Sequence, residues 1–374
     1  MLSSLIDNKR VVVCSGAGGV GKTTTSAAIA LAAARQGRRA VVLTIDPARR
    51  LADALGMPSL PSEPAPVPRE LLDRAGVPPE GELHALMLDP KQTFDGLVRR
   101  LNPPDAAKRI LENRLYQQIS QLLAGMQEYT AEEKLHELAA DDRFDVVVID
   151  TPPTRNALDF LEAPGKLTRF LDERVLKWFL PQQQRWGFGI LQRTGKIVGS
   201  VLERIFGEGF ASELQDFLAT LGGMTTTLRQ HAEEVRQLLA SPGSTFLLVT
   251  APESASLDDA VYFRSRLDEL GLPFGGYVVN RLHPQRPAAS AAEVQAAGLA
   301  LAEELPPGEA AKLLRRLEAS YERERARADR DRQMLDRLRA EGKAPLVGIP
   351  RLEGDISDVA GLALLVDSAF SPGR

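Results

Sequence analysis

Cysteine is nearly absent from the 374 residues, and Cys14 is the single one. A lone cysteine excludes an internal disulfide and a metal cage built only from the cysteines of one chain. Histidine is scarce as well: the four residues His84, His136, His231 and His283 are scattered, and we expect structural or surface roles for them. Basic charge has no excess, since 46 Lys and Arg oppose 50 Asp and Glu. No global positive field is therefore available for non-specific nucleic-acid binding, and no nucleic-acid partner is expected.

Long apolar runs are also missing. The first ten residues, M-L-S-S-L-I-D-N-K-R, lack the apolar core of a signal peptide. Elsewhere charge or proline interrupts the apolar stretches within roughly ten residues, short of the ~20 that span a bilayer. Hydrophobic residues nevertheless make up 44% of the chain, which excludes wholesale disorder. The sequence predicts a globular cytoplasmic protein.

Short runs of β-branched and aliphatic residues recur, each followed by a turn and a helix-like segment. Continuous rather than alternating apolar character is typical of strands covered on both faces. Strands separated by helices favour a mostly parallel sheet flanked by helices, which is an α/β fold. The predicted strands are Arg10–Ser15, Ala40–Ile45, Phe144–Asp150, Thr245–Thr250, Gly275–Asn280 and Pro345–Ile349, with Leu83–Leu88 as a weaker candidate.

A glycine-rich segment follows the first predicted strand and matches the phosphate-loop (P-loop) pattern G-x-x-x-x-G-K-[ST]. Its residues are Gly16, Ala17, Gly18, Gly19, Val20, Gly21, Lys22 and Thr23, and a helix-like T-T-S-A-A-I-A-L-A-A-A-R comes next. Glycines let backbone N–H groups approach phosphate oxygens, and the helix points its positive end at the same oxygens. Lys22 is predicted to contact the β- and γ-phosphates and Thr23 to bind Mg²⁺.

Two aspartates end predicted strands: Asp46 in T-I-D-P-A-R-R and Asp150 in V-V-I-D-T-P-P-T. Carboxylates at strand carboxyl ends lie at the edge where parallel α/β sheets bind ligands. A strand-end aspartate after apolar residues is the usual carboxylate on the Mg²⁺ side, so Asp150 is predicted to bind the metal. The alternatives are a helix N-cap for Asp150 and a structural role for Asp46.

Two long intervals, Thr93–Ala140 and Asn156–Ala240, look helical and contain no convincing strand. We therefore predict a P-loop domain formed by residues 1–92, 141–155 and 241–374, and an inserted helical subdomain formed by 93–140 and 156–240. The second interval is rich in aromatic residues, which form either an apolar surface for a hydrophobic partner or a small core of their own. These aromatics are Phe160, Phe170, Trp178, Phe179, Trp186, Phe188, Phe206, Phe210 and Phe217.

Two further segments have unusual composition. Pro61–Pro79 contains six prolines, which predicts a loop rather than a helix or a central strand. Lys312–Lys343 carries 11 basic and 7 acidic residues beside a discontinuous apolar stripe. That pattern predicts a solvated helix resting on the sheet, with a partner-binding arm as the alternative.

The segments G-G-V-G-K-T-T, D-P-A and D-T-P-P-T together resemble the deviant-Walker-A ATPases. More narrowly, they resemble the arsenite-pump ATPase family and its relatives that deliver tail-anchored membrane proteins, in particular actinobacterial-type members. T-A-P-E-S-A-S-L-D-D-A at 250–260, V-V-N-R at 278–281 and I-P-R-L-E-G-D at 349–355 are similar to later family segments. The resemblance covers residues 8–160 and 244–368 and is weak across 160–240.

The resemblance implies a role for each matching position. Asp46 would orient or activate the attacking water, Asp150 would lie near Mg²⁺, and Asn280 would hydrogen-bond adenine. An asparagine amide both donates and accepts, which suits base recognition, although a strand-terminal turn former is the alternative. Pro350 belongs to the late loop over the base. The phosphates would be held by Gly18, Gly19, Val20, Gly21, Lys22, Thr23 and Thr24.

Two departures from the family pattern bear on the partners. Ala17 stands where the family normally has a lysine that reaches the partner's nucleotide across a dimer. No C-x-x-C pair and no three-cysteine arsenite site exist, so no zinc clamp and no conventional arsenite response are expected. The resemblance still implies ATP and Mg²⁺ as cofactors. It also implies a homodimer or a heterodimer with a paralogue, and a hydrophobic protein client or membrane partner.

Three functional hypotheses follow. The first is an ATP-hydrolysing switch, in which Arg49 or Arg50, or less favourably Arg155, replaces the missing lysine cation. The second is a nucleotide-gated scaffold with little turnover, because Ala17 removes that lysine. The third is a DNA-partitioning relative, which the acidic pI of about 5.8 and the aromatic-rich insert disfavour.

Overall fold

A computed structural model describes residues 5–113, 116, 127–152, 226–352, 354, 356 and 358–370. Eight strands in these residues form one sheet in the order β3-β4-β2-β5-β1-β6-β7-β8. All neighbours are parallel except β3, which runs antiparallel to β4 at the edge. The strands are β1 Val11–Ser15, β2 Arg39–Thr44, β3 Ala65–Pro66, β4 Glu82–Met87, β5 Val146–Asp150, β6 Ser244–Thr250, β7 Phe274–Leu282 and β8 Leu346–Pro350. The predicted α/β fold with a mostly parallel sheet is confirmed, including the weaker strand candidate.

Helices connect most of the strands and cover both faces of the sheet. In the first part of the chain they are α1 Lys22–Arg35, α2 Arg50–Ala54, α3 Arg69–Arg74, α4 Pro90–Leu101, α5 Pro104–Glu112 and α6 Gln127–Ala140. Residues 226–240 are helical and are called α7. The later helices are α8 Ser254–Glu269, α9 Ala291–Glu304, α10 Pro307–Ala340 and α11 Val359–Phe370. None of the described helices combines the length and apolar character that crossing a membrane requires.

The central strand β1 shows why the apolar runs form a doubly covered sheet. All five of its residues are buried. Val12 and Cys14 join one core with α1 and α11, whereas Val11 and Val13 join a second core with α6, α8 and the end of α10. Full burial of a valine or leucine side chain stabilises the folded state by about 1.5–3 kcal/mol. Burial of both faces of the strand is therefore more stable than burial of one face. The result is a three-layer arrangement with the sheet in the middle.

The predicted loop over Pro61–Pro79 is wrong in part, because α3 (Arg69–Arg74) forms within it. The prolines lie before residue 69 and after residue 77, so no proline interrupts the helix. Arg69 ties the segment down by donating to the carbonyl oxygens of Val77 at 2.6 Å and Gly81 at 2.9 Å. The two-residue β3 lies at the sheet edge, where proline is tolerated.

The charged segment forms most of α10, a 34-residue helix. Leu338 near its end is buried in the second core, whereas Leu317 near its start is 50% exposed. The helix therefore rests on the sheet through its last turns, as predicted, and packs against α9 through its first half.

The described part of Thr93–Ala140 is helical, with α6 packed against β5 and α4. Of Asn156–Ala240 the structure describes residues 226–240 alone, so Trp178, Phe179, Trp186 and Phe188 lie outside the described residues. The boundaries of the inserted subdomain stay a prediction.

Candidate nucleotide-binding site

The strand order brings the predicted site residues to one edge of the sheet. β5 lies between β1 and β2, so the loops after these three strands open side by side at their carboxyl ends. The P-loop follows β1, Asp150 ends β5, and Asp46 comes two residues after β2. Ligands of parallel α/β sheets bind at such an edge, at the position where the strand order changes direction. Here β2 to β4 lie on one side of β1, and β6 to β8 lie on the other. Topology therefore assembles residues that are about 100 positions apart in sequence.

The P-loop backbone requires glycine at specific positions. Gly19 and Gly21 have φ of +79° and +94°, a region that L side chains rarely adopt. A Cβ on Gly16 would come within 2.0 Å of the Val249 carbonyl oxygen on β6. A Cβ on Gly21 would come within 2.2 Å of Nδ2 of Asn280. The loop is therefore packed tightly against β6 and β7, while Gly18 and Gly19 are exposed at its tip.

Lys22 opens α1 and folds back over the loop. Its ammonium donates to the Ala17 carbonyl oxygen at 2.9 Å, and the residue is only 8% exposed. Burial lowers the pKa of Lys22, while the charges of Asp150 and Asp46 act to raise it. The charge of Arg50 adds to the lowering, so charged groups of both signs act on this ammonium.

Asp150 is fully buried at the end of β5. It stands beside Cys14 of β1 and Thr44 of β2 in the strand register, and its Oδ2 accepts from the Thr44 hydroxyl at 2.9 Å. Burial raises its pKa from 3.8 to about 6, while the hydroxyls of Thr23 and Thr44 and the charge of Lys22 oppose that rise. Its Oδ1 has no hydrogen-bond partner among the described residues.

The donor set around Asp150 fits a magnesium ion. Mg²⁺ prefers carboxylate and hydroxyl oxygens, together with phosphate oxygens and water. Oδ1 of Asp150, which has no hydrogen-bond partner among the described residues, could supply one such ligand, and the neighbouring Thr23 hydroxyl could supply another. The described side-chain hydrogen bond of Asp150 is with the Thr44 hydroxyl across the strands, and Pro153 and Thr154, which an N-cap would involve, lie outside the described residues.

Asp46 lies in the loop between β2 and α2 with its side chain 26% exposed. Its Oδ1 accepts from the backbone N–H of Ala48 at 3.0 Å, and its Oδ2 lies 3.3 Å from the Arg50 guanidinium. The two neighbouring arginines are used differently. Arg49 donates to the backbone carbonyl of Pro58, away from Asp46, whereas Arg50 pairs with Asp46. Arg155 lies outside the described residues.

A cleft of about 800 Å³ continues from the P-loop toward β7 and β8. Its lining includes Gly21 and Thr24 of the P-loop and the start of α1, Asn280 of β7 and Pro350 of β8. The Asn280 side chain donates to the Val20 carbonyl oxygen at 2.9 Å and accepts from the Arg281 backbone N–H at 2.9 Å. Asn280 therefore braces the P-loop directly, a contact for which the sequence has no signal.

Two cleft residues escaped the sequence prediction. His283, in the loop after β7, and Asp331, on α10, both line the cleft, although they lie 48 positions apart in the sequence. Asp331 accepts from the backbone N–H of His283 at 2.7 Å and lies 2.9 Å from its Nδ1. Only packing of the long helix α10 brings them together. Cys14 on β1 is fully buried, and burial raises its pKa to about 12.

Comparison of the sequence with known proteins shows the family to which the chain belongs. Residues 9–298 match the sequence model of the anion-transporting ATPases. The chain belongs to that family. It is similar to ATPase GET3 of Malassezia globosa, at 27% identity over 289 residues that cover 75% of this chain and 76% of the relative. An ATPase ASNA1 homolog of Babesia bovis is 28% identical over 258 residues, covering 68% and 62% of the two chains.

The chain is also similar to an arsenical pump-driving ATPase of Halobacterium salinarum. It is 30% identical over 171 residues, which cover 45% of this chain and 26% of the relative. The chain is therefore a P-loop ATPase of this family, as its motifs predicted.

Proposed function

We propose that this ATPase binds ATP with Mg²⁺ at the carboxyl edge of the sheet and uses hydrolysis to move the loop after β2. The observation that carries the proposal is the P-loop with its buried Lys22, beside which Asp150 at the end of β5 and Asp46 in the loop after β2 lie at the same edge of the sheet. The P-loop backbone from Gly18 to Thr24, with the start of α1, would hold the phosphates. Thr23 and Asp150 would hold Mg²⁺, which when bound neutralises charge on the β- and γ-phosphate oxygens.

Asp46 is proposed as the residue that orients the attacking water. Its carboxylate is partly exposed, and each oxygen keeps a lone pair beyond the contacts to Ala48 and Arg50. The water oxygen forms a bond to the γ-phosphorus while the bond to the ADP oxygen breaks, and Asp46 accepts the hydrogen bond, and then the proton, of that water.

The cation that replaces the lysine missing at Ala17 is proposed to be Arg50. Arg50 already pairs with Asp46, and its charge adds to the lowering of the Lys22 pKa that burial mainly causes. Arg49 is held by the Pro58 carbonyl instead. Ordering of the loop after β2 would move Arg50 together with Asp46 toward the γ-phosphate, where developing charge is greatest.

Asn280 is proposed to read adenine while bracing the P-loop. Its Nδ2 keeps one hydrogen beyond the bond to Val20, and its Oδ1 keeps one lone pair beyond the bond to Arg281. A donor and an acceptor side by side match the amino and ring-nitrogen pattern of adenine. Pro350, which also lines the cleft, would pack against the base.

We further propose that the protein works as a homodimer or as a heterodimer with a paralogue, in the cytoplasm, and couples hydrolysis to binding or release of a hydrophobic protein client or membrane partner. The support is the similarity to the GET3 and ASNA1-type ATPases. The aromatic-rich part of the inserted helical subdomain, residues 156–240, is the proposed contact region.

A second candidate function, a nucleotide-gated scaffold, is favoured by Ala17. Because Ala17 cannot supply a cation to a partner's nucleotide, the chain would act as a nucleotide-gated scaffold if Arg50 does not compensate. Both functions require ATP binding, but only the ATP-hydrolysing switch requires appreciable ATP turnover.

The test measures ATP binding by calorimetry and phosphate release by stopped-flow fluorescence, for the parent chain and for Lys22→Ala. Loss of the buried ammonium is expected to weaken binding by about 1.5–3 kcal/mol, or roughly ten- to 150-fold, and to abolish Mg²⁺-dependent release. Lys91→Ala, which removes a lysine paired with Asp95 on α4, is the matched control. Undiminished activity in Lys22→Ala would contradict the proposal, whereas binding without turnover in the parent would favour the scaffold.

A further inference from the structure

Two histidines and two glutamates from separate helices meet between α6 and α7, and none of them lines the nucleotide cleft. Glu133 and His136 stand three residues apart on α6, and His231 and Glu234 stand three residues apart on α7. Residues with this spacing share one helix face, so each helix presents a histidine and a carboxylate to the other. We call these four side chains the histidine–glutamate cluster.

The contacts within the cluster cross from one helix to the other. Nδ1 of His231 lies 3.1 Å from both carboxylate oxygens of Glu133, and Nε2 of His136 lies 2.7 Å from Oε2 of Glu234. The two imidazole rings stack, with centroids 4.3 Å apart and planes 16° apart. One ligand atom each from Glu133, His136 and His231 lies within 4.8 Å of the others.

The exposed fraction of the side chains increases across the cluster, from the buried Glu133 to the exposed Glu234. Glu133 is 2% exposed, the side chains of His231 and His136 are 19% and 27% exposed, and that of Glu234 is 45% exposed. An ion can therefore enter from solvent and meet a buried carboxylate. Lys134, the cation next to Glu133 in sequence, pairs with Glu63 and Glu137. The neighbouring Glu132 is also buried, and its Oε2 has no hydrogen-bond partner among the described residues.

We propose that the histidine–glutamate cluster binds one divalent transition-metal ion of the zinc class. Imidazole nitrogen together with carboxylate oxygen is a donor set that zinc accepts and that Mg²⁺ and Ca²⁺ do not select. Three ligands around one ion lie about 3–4 Å apart when each bond is about 2 Å, so small side-chain rotations from the present spacing suffice. Glu-x-x-His pairs on helices hold metals in other helical proteins as well.

The ion would clamp α6 to α7. Leu135 and Leu138 of α6, and Val235 and Leu239 of α7, lie in the same hydrophobic core on one face of the sheet. A metal bridge above this core would fix the two helices relative to each other. Such a site is distinct from a cysteine zinc site, which the single cysteine excludes. The sequence prediction missed it because His136 and His231 come together only through the packing of two helices.

The experiment uses the full chain, stripped with EDTA and dialysed, without nucleotide. Zn²⁺ binding is measured by calorimetry, and Co²⁺ is added as a spectroscopic probe whose visible bands report nitrogen ligands. We expect one Zn²⁺ per chain, and at least tenfold weaker binding in His136→Gln and in His231→Gln. Glu234→Gln, an exposed substitution, keeps the test informative if a histidine variant folds poorly. Glu233→Gln, on the same helix but paired with Arg236, is the matched control and should bind normally.

Thermal unfolding supplies a second readout that is independent of ATP turnover. Zn²⁺ should raise the melting temperature of the parent and of Glu233→Gln, and should leave that of the double variant His136→Gln/His231→Gln unchanged. Absence of binding in the parent, or undiminished binding in the double variant, would overturn the proposal. The cluster would then be a set of ion pairs between two helices.

Discussion

Replacing Asp150 by asparagine should stabilise the fold while it removes the magnesium ligand. The carboxylate is fully buried, and one of its oxygens has no hydrogen-bond partner among the described residues. Asparagine has the same shape, can still accept from the Thr44 hydroxyl, and carries no charge to desolvate. The variant therefore relieves a cost that the native protein sustains at its site.

The size of this effect follows from the pKa of Asp150. Burial raises it from 3.8 to about 6, so the folded state holds the proton more tightly than the unfolded chain. The charged form is then disfavoured in the folded state by about 3 kcal/mol, at about 1.4 kcal/mol per pKa unit. This penalty is absent below about pH 4, grows as the pH rises from 3.8 to about 6, and is complete above that. Asp150→Asn should thus be more stable by up to about 3 kcal/mol at pH 8 and similar to the parent near pH 4.

Urea unfolding followed by circular dichroism, from pH 4 to pH 8 in EDTA without nucleotide, measures the difference. Asp145→Asn supplies a control of opposite sign, because hydrogen bonds from Arg39 lower the pKa of Asp145 to about 2. That group stabilises the folded state above pH 3.8 and loses this contribution as the pH falls toward 2, so its variant should be less stable at pH 8. An Asp150→Asn chain that is no more stable than the parent at pH 8, or equally shifted at every pH, would refute the reasoning.

Three further substitutions, one of them with a matched control, test the proposed site. Asp46→Asn should leave ATP bound but slow single-turnover hydrolysis by about 10²–10⁴-fold, because an amide cannot accept the water proton; equal loss of binding and turnover would make Asp46 structural. Arg50→Ala should slow hydrolysis by up to about 10³-fold with ATP binding intact, whereas Arg49→Ala should hydrolyse like the parent; equal rates in both would remove Arg50 from the mechanism. Asn280→Ala should weaken ATP binding about tenfold and reduce the preference for ATP over GTP in a competition assay, since a base-reading amide and a brace of the P-loop are lost together. An unchanged preference would leave bracing as its single role.

Local sequence patterns determined the strands and the chemistry of the loops. Runs such as V-V-V-C-S predict strands in a doubly covered sheet, because four consecutive apolar residues leave no polar face for solvent. The spacing of Gly16, Gly21, Lys22 and Thr23 specified a phosphate loop, since the positive φ at Gly21 and the following helix are local properties. The predicted loop over the proline-rich segment is wrong in part because no proline occurs from Arg69 to Val77, a stretch long enough for the helix Arg69–Arg74.

Only the tertiary structure decided which distant residues share a site. The order of strands places Asp150 beside Thr44, and the packing of β7 against the P-loop turns Asn280 into a brace of Val20. The different partners of Arg49 and Arg50 depend on how α2 begins, which no pattern in D-P-A-R-R specifies. The physical reason is that helix and strand propensities act over a few residues. A contact across the sheet or between helices instead exists only after the hydrophobic core has fixed the elements against one another.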